Sequence, residues 1–247
     1  MYLDQFVLLV AEATLVAGLL LLLFHRRDDW GLTPLFVALG VFQHMQVVLA
    51  TSVYIEVVPG VIVSPGSVVL FTATLFAVLL VYIQEDAIEA RKLIYALVMA
   101  NIILAMLSFA AGLQVQSPAT LNRFNLPPEF FISDLRIMVV GTLCLFFDTI
   151  LVIVIYESLS HRWFGSFLRI FLTMTAVLCF DQFAFATGAF FESESYFSKL
   201  ISGFVGKCVS GLFYSSILWG YLQWRGNKHF ERAPGYSWDV FQLLSYR

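Results

Sequence analysis

Seven runs of roughly 20 mostly apolar residues dominate this sequence, each long enough to carry a helix across the hydrocarbon core of a bilayer. They fall at about 5–24, 32–53, 66–84, 92–112, 134–157, 166–190 and 200–223. In lipid every backbone N–H and C=O must be paired inside the chain, so a spanning run of this kind is a helix. The expected fold is therefore all-α, a polytopic membrane bundle of seven transmembrane helices. Composition supports it: charged residues are 13% and hydrophobic residues 60% of the chain, whereas a soluble domain is about a quarter charged. Net charge −3 with 14 thinly spread Lys and Arg leaves no basic patch for nucleic acid. Three cysteines, all inside apolar runs, exclude a secreted disulfide scaffold. The first run has an acidic flank and no small-residue cleavage site before Arg26, so it is not read as a signal peptide.

The boundaries between runs are set by charge and turn chemistry. His25-Arg26-Arg27-Asp28-Asp29 separates the first two runs, and Ser117-Pro118 and Pro127-Pro128 break the 113–133 connection. Lys and Arg then orient the bundle. Arg26, Arg27, Arg91, Lys92, Arg162, Arg169, Arg225, Lys228, Arg232 and Arg247 share one side of a seven-span arrangement. The other side holds Arg123, with Arg136 and Lys199 at span edges. The expectation is an N-terminus outside and a C-terminus in the cytoplasm, in a multi-pass protein of the cell (inner or plasma) membrane. Residues 1–224 form the membrane domain, and 225–247 read as a cytoplasmic tail or linker.

Ionisable groups at bilayer depth are costly, so they face the bundle interior and are candidate functional residues. Counting about 1.5 Å per residue from the cytoplasmic end of each span puts Asn101 and Asp148 near 13 Å. The same count puts Glu12, Gln43 and His44 at roughly 18–20 Å, Asp181 near 21 Å and Lys207 near 24 Å. Two readings are open for Asp181 and Lys207: an ion pair joining the last two spans, or the polar wall of a ligand pocket. Asp148 either bonds a neighbouring helix or contacts ligand, and Arg136 either anchors at headgroups or binds. Gln43 and Gln46, three apart, share a helix face that His44 does not. Cys144, Cys179 and Cys208 read as small packing residues of helix contacts. No His/Cys/carboxylate spacing repeats, so no metal is expected. Lys207 lies in the last of seven spans, as in retinal proteins, but Gly203 stands four residues earlier and nothing else matches, so no cofactor is expected. No nucleophile–base pair, phosphate loop or carboxylate dyad suggests an enzyme.

Spans five and six open alike, Leu135-Arg136-Ile137 and Leu168-Arg169-Ile170, and each Arg is followed twelve residues later by an Asp, Asp148 and Asp181. The segment Leu168-Arg169 … Asp181-Gln182 … Ala189-Phe190 resembles a pattern of the vitamin-uptake-like transporters that import queuosine precursors. Glu85-Asp86 … Glu89-Ala90-Arg91-Lys92 … Tyr95 … Asn101 resembles the same family's loop into a span. Val63-Ser64-Pro65-Gly66-Ser67-Val68-Val69-Leu70-Phe71 resembles the related vitamin-uptake-like sensor domains, which precede PAS, histidine-kinase or diguanylate-cyclase domains. The resemblance covers roughly residues 30–225. Those transporters usually carry a serine and a glutamine four and three positions before each aspartate. Here Cys144-Leu145 and Val177-Leu178 stand there, which removes polar groups that a translocation path would use and tilts the reading toward sensing.

The resemblance thus implies a membrane sensor that passes ligand occupancy to a cytoplasmic output, with a transporter for a vitamin or deazapurine as the alternative and a helix scaffold third. A sensor feeding a kinase or cyclase implies a homodimer. The candidate ligand-binding residues are Gln43, Gln46, Arg136, Asp148, Asp181, Gln182 and Lys207. The expected pocket is walled by spans two, five, six and seven, with Asp181, Gln182 and Lys207 at its centre and Asp148 below. Phe183, Phe185, Phe190 and Phe213 would stack on a flat heterocyclic ligand.

Overall fold

The computed structural model describes residues 2–131, 135–160, 165–192 and 196–226. Of the expected tail, 227–247 lies outside the described residues. The order is α1 (Tyr2–His25), the single turn α2 (Arg27–Trp30), α3 (Thr33–Ser52), β1 (Ile55–Val58), β2 (Val61–Val63), α4 (Thr72–Gln84), α5 (Ala87–Gln116), α6 (Leu135–Ser160), α7 (Ser166–Phe190) and α8 (Tyr196–Trp224). A π-helical turn over Gly66–Phe71 leads into α4, and the two together make one span, Gly66–Gln84. Among the described residues seven helices are long and apolar enough to cross a membrane. The chain is a multi-pass membrane helix bundle.

The third span is the centre of the bundle. Every residue of α4 is buried, because a helix apolar on all sides is stable only when other helices surround it. Around it stand α1, α5, α6, α7 and α8, with α7 packed between α6 and α8. Outer faces of α1, α5 and α8 expose Leu15, Met106, Leu107, Ile201 and Val209, as helices facing lipid would. The loop side near residues 25–30 and 85–86 is closed by ion pairs. Arg27 pairs with Glu85 and lies over the Phe24 ring. Asp86 accepts a bond from the Glu89 N–H at 2.8 Å and caps α5.

The opposite side carries a feature that the seven-span reading does not contain. Ile55 to Val63 form an antiparallel two-stranded hairpin turning at Pro59-Gly60. Gly60 takes φ +81°, a left-handed conformation that glycine adopts without a Cβ penalty, and its N–H donates to Glu56 Oε1 at 2.9 Å. The chain then enters span three through Ser64-Pro65-Gly66. Ser64 Oγ donates to the Leu49 carbonyl at 2.8 Å. A Cβ on Gly66 would lie 2.4 Å from the Gln46 carbonyl oxygen and 2.7 Å from the Ala50 nitrogen. Span three therefore starts in backbone contact with α3, and the sequence run that resembles sensor domains is the device that makes that contact.

Candidate functional site

Two adjoining cavities lie on the hairpin side of the bundle. The inner one, about 90 Å³, is walled by α3, α5, α6 and α7 and includes Gln43, Gln46, Asn101 and Thr142. The outer one, about 320 Å³, lies among α3, the hairpin, the π-helical turn, α7 and α8, with Tyr54, Gln182, Lys199 and Ser202 on its wall. Ala50, Phe185 and Phe190 line both, so the cavities meet at the aromatic pair. The two rings stand edge to face, centroids 5.8 Å apart.

The spacing of Gln43 and Gln46 puts both amides on the cavity face of α3, while His44 between them is exposed. Gln43 is 1% exposed, yet its Nε2 has no hydrogen-bond partner among the described residues, and neither has the buried Oε1 of Gln46. A buried amide group without a partner costs about 1–3 kcal/mol, which is recovered when a ligand or water supplies one. Asn101, by contrast, is committed: its Nδ2 donates to Thr142 Oγ1 at 2.8 Å. Gln182 is also committed. Its Nε2 donates to the Lys199 carbonyl at 3.0 Å, tying α7 to the first turn of α8, and it lies directly against Gly203, where a Cβ would be 2.0 Å from that nitrogen.

Asp181 and Lys207 form a buried ion pair between α7 and α8, and they line neither cavity. Asp148 of α6 is fully buried. Its carboxyl group faces that of Asp181 within electrostatic reach of Lys207, and among the described residues no hydrogen-bond donor meets either of its oxygens. Depth counting puts Asp148 well below Asp181; the structure sets them against one another. The triad sits one turn beneath the cavities, since Leu145 and Gly203, three and four residues from Asp148 and Lys207, are wall residues. Lys207 also lies 5.3 Å from the centre of the Phe71 ring on span three.

Arg136 and Arg169, the repeated arginines of the sequence, make reciprocal ties. Arg136 Nε on α6 donates to the Gly188 carbonyl near the end of α7 at 2.7 Å, and its guanidinium is 3.4 Å from Glu192. Arg169 Nε on α7 donates to the Tyr156 carbonyl near the end of α6 at 3.0 Å and covers that ring at 3.6 Å. Each arginine thus meets backbone oxygens where the helix dipole of its neighbour is negative. Of the four phenylalanines expected to stack on a ligand, Phe185 and Phe190 reach the cavities. Phe183 is 56% exposed, and Phe213 lines a separate apolar groove beside α1. Sequence reasoning did not single out Thr142, Tyr54 or Lys199 as wall residues; a hydroxyl or cation at a span edge is a signal too common to select them.

The profile of the vitamin uptake-like sensor family matches residues 17–222. The chain belongs to that family. Membership carries a sensor role, and with it a ligand and a place in the membrane. No curated protein and no solved structure is similar to it at a significant level. In this member of the family two unpartnered amide groups, on Gln43 and Gln46, line the inner cavity, and the outer cavity that adjoins it touches α8.

Proposed function

We propose that this chain is a small-molecule receptor whose ligand enters from the hairpin side, contacts Gln43 and Gln46, and acts on a cytoplasmic signalling output through α8. The observation that carries this is the unpartnered Gln43 amide, fully enclosed and on a cavity wall. The outer cavity touches α8 at Ser198, Lys199, Ser202 and Gly203. The same helix runs unbroken to Trp224, where Arg225 lies 4.0 Å from Asp28. A ligand that binds one position of α8 better than another shifts a two-state helix arrangement, and the far end of α8 moves with it. The output is a histidine kinase, PAS or diguanylate-cyclase type domain, working as a homodimer.

The transporter alternative needs a path to both faces. The cavities lie on the hairpin side, and the half beyond the triad is filled by α4, where Leu75, Phe76, Leu79 and Leu80 are all fully buried. This packing favours a receptor. The test is the melting temperature of purified protein in a fractionated extract of small metabolites. One or more fractions should raise it for the wild type and not for Gln43→Leu. A wild type that responds to no fraction contradicts a receptor.

A further inference from the structure

Building on the receptor reading, we propose that the two cavities form one bipartite site for a flat heterocycle with a cyclic-amide edge, held by Gln43 and Gln46, and an anionic substituent, met by Lys199. Among the described residues none on the wall of the inner cavity is ionisable, which favours an uncharged group there. Its two open groups differ in kind: the Gln43 Nε2 donates and the Gln46 Oε1 accepts. A carboxylate would leave the acceptor unpaired, and an ammonium would leave the donor unpaired. A lactam or cyclic urea presents C=O and N–H side by side and pairs both. Turning both primary amides end for end exchanges donor and acceptor and keeps this preference. Phe185 and Phe190 at the junction favour a flat ring over a branched aliphatic one.

The outer cavity differs in charge. Lys199 is on its wall, with its ammonium 4.2 Å from the centre of the Phe190 ring, and no acidic side chain among the described residues pairs with it. Among the described residues no Asp or Glu lines either cavity. An anionic substituent on a ring seated between the phenylalanines reaches toward this cation. Half-buried and close to an aromatic face, such a charge pair is screened less than one in open water.

Two probes of different size test this by thermal shift: 6-oxo-1,6-dihydropyridine-3-carboxylate and pterin-6-carboxylate. Each is compared with its lactam N-methyl derivative and its methyl ester. At least one acid should stabilise the wild type, with both derivatives about tenfold weaker. Gln43→Leu should abolish the gain. Lys199→Gln, which removes the cation and its contact with the Phe190 ring, should erase the difference between acid and ester while leaving the N-methyl penalty. If metabolite fractions stabilise the protein but both acids are inert, or if the derivatives bind as well as the acids, the ligand class is overturned and the receptor reading stands. If the fractions are inert as well, the receptor reading falls with it.

Discussion

Lys207 faces two carboxyl groups, and that imbalance decides how the buried triad responds to substitution. Lys207→Met leaves Asp148 and Asp181 opposed in an apolar interior with no cation, whereas Asp181→Asn leaves Lys207 within reach of Asp148. Removing one partner of a buried pair costs about 3–5 kcal/mol. Lys207→Met should show a loss of that size in equilibrium unfolding, and Asp181→Asn a smaller one. Equal losses, or the reverse order, would contradict the arrangement. At this scale the sequence was partly legible. The i, i+3 spacing placed Gln43 and Gln46 on one face, and an acid and a base at similar depth on adjacent spans pointed to the Asp181–Lys207 pair. The opposition of Asp148 and Asp181 was not legible, because counting along separate helices ignores their vertical offset. Nor does sequence distinguish Gln182, whose amide is spent on α8, from Gln43, whose amide is open.

Among the elements, the start of span three determines where the α3 wall stands. Gly66 and Gly203 both lie in contacts too close for a Cβ, but against different neighbours. At Gly66 the obstacle is the α3 backbone; at Gly203 it is the end of the Gln182 side chain. Backbone inside a bundle cannot step aside, whereas an amide can rotate away. Gly66→Ala should therefore destabilise the protein by about 1–3 kcal/mol through overpacking and weaken ligand response. Gly203→Ala should cost less, at the expense of the Gln182–Lys199 bond. Comparison of melting temperatures checks the order, and a larger loss at Gly203 would refute it. The seven helices could be read from the chain because bilayer length imposes runs that are hard to mistake. The hairpin could not: nine residues around Pro59-Gly60, with paired strands of four and three residues, give too little alternation to separate a strand pair from a loop. The twelve-residue Arg–Asp echo was visible, but its meaning was not. The reciprocal hold of Arg136 on α7 and Arg169 on α6 appears only once the two helices are antiparallel neighbours.

For the whole molecule, we propose from the arginine and lysine asymmetry an orientation with the hairpin and cavities outside and residues 25–30 inside. Reporter fusions after Arg27, Arg91 and Arg225 should register in the cytoplasm, and fusions at Pro59 and Asn122 outside; an external signal at Arg225 would invert the account. That orientation would make the cavities the part of the bundle that meets external solutes, with α4 closing the path behind them. The most direct measurement places one cysteine where the two cavities meet, Ala50→Cys, with Cys144, Cys179 and Cys208 replaced by alanine. A membrane-impermeant maleimide added to intact cells should label it, and a metabolite fraction that raises the melting temperature should slow the labelling. No labelling from outside, or labelling at the same rate with the stabilising fraction present, would contradict a ligand site open on the hairpin side.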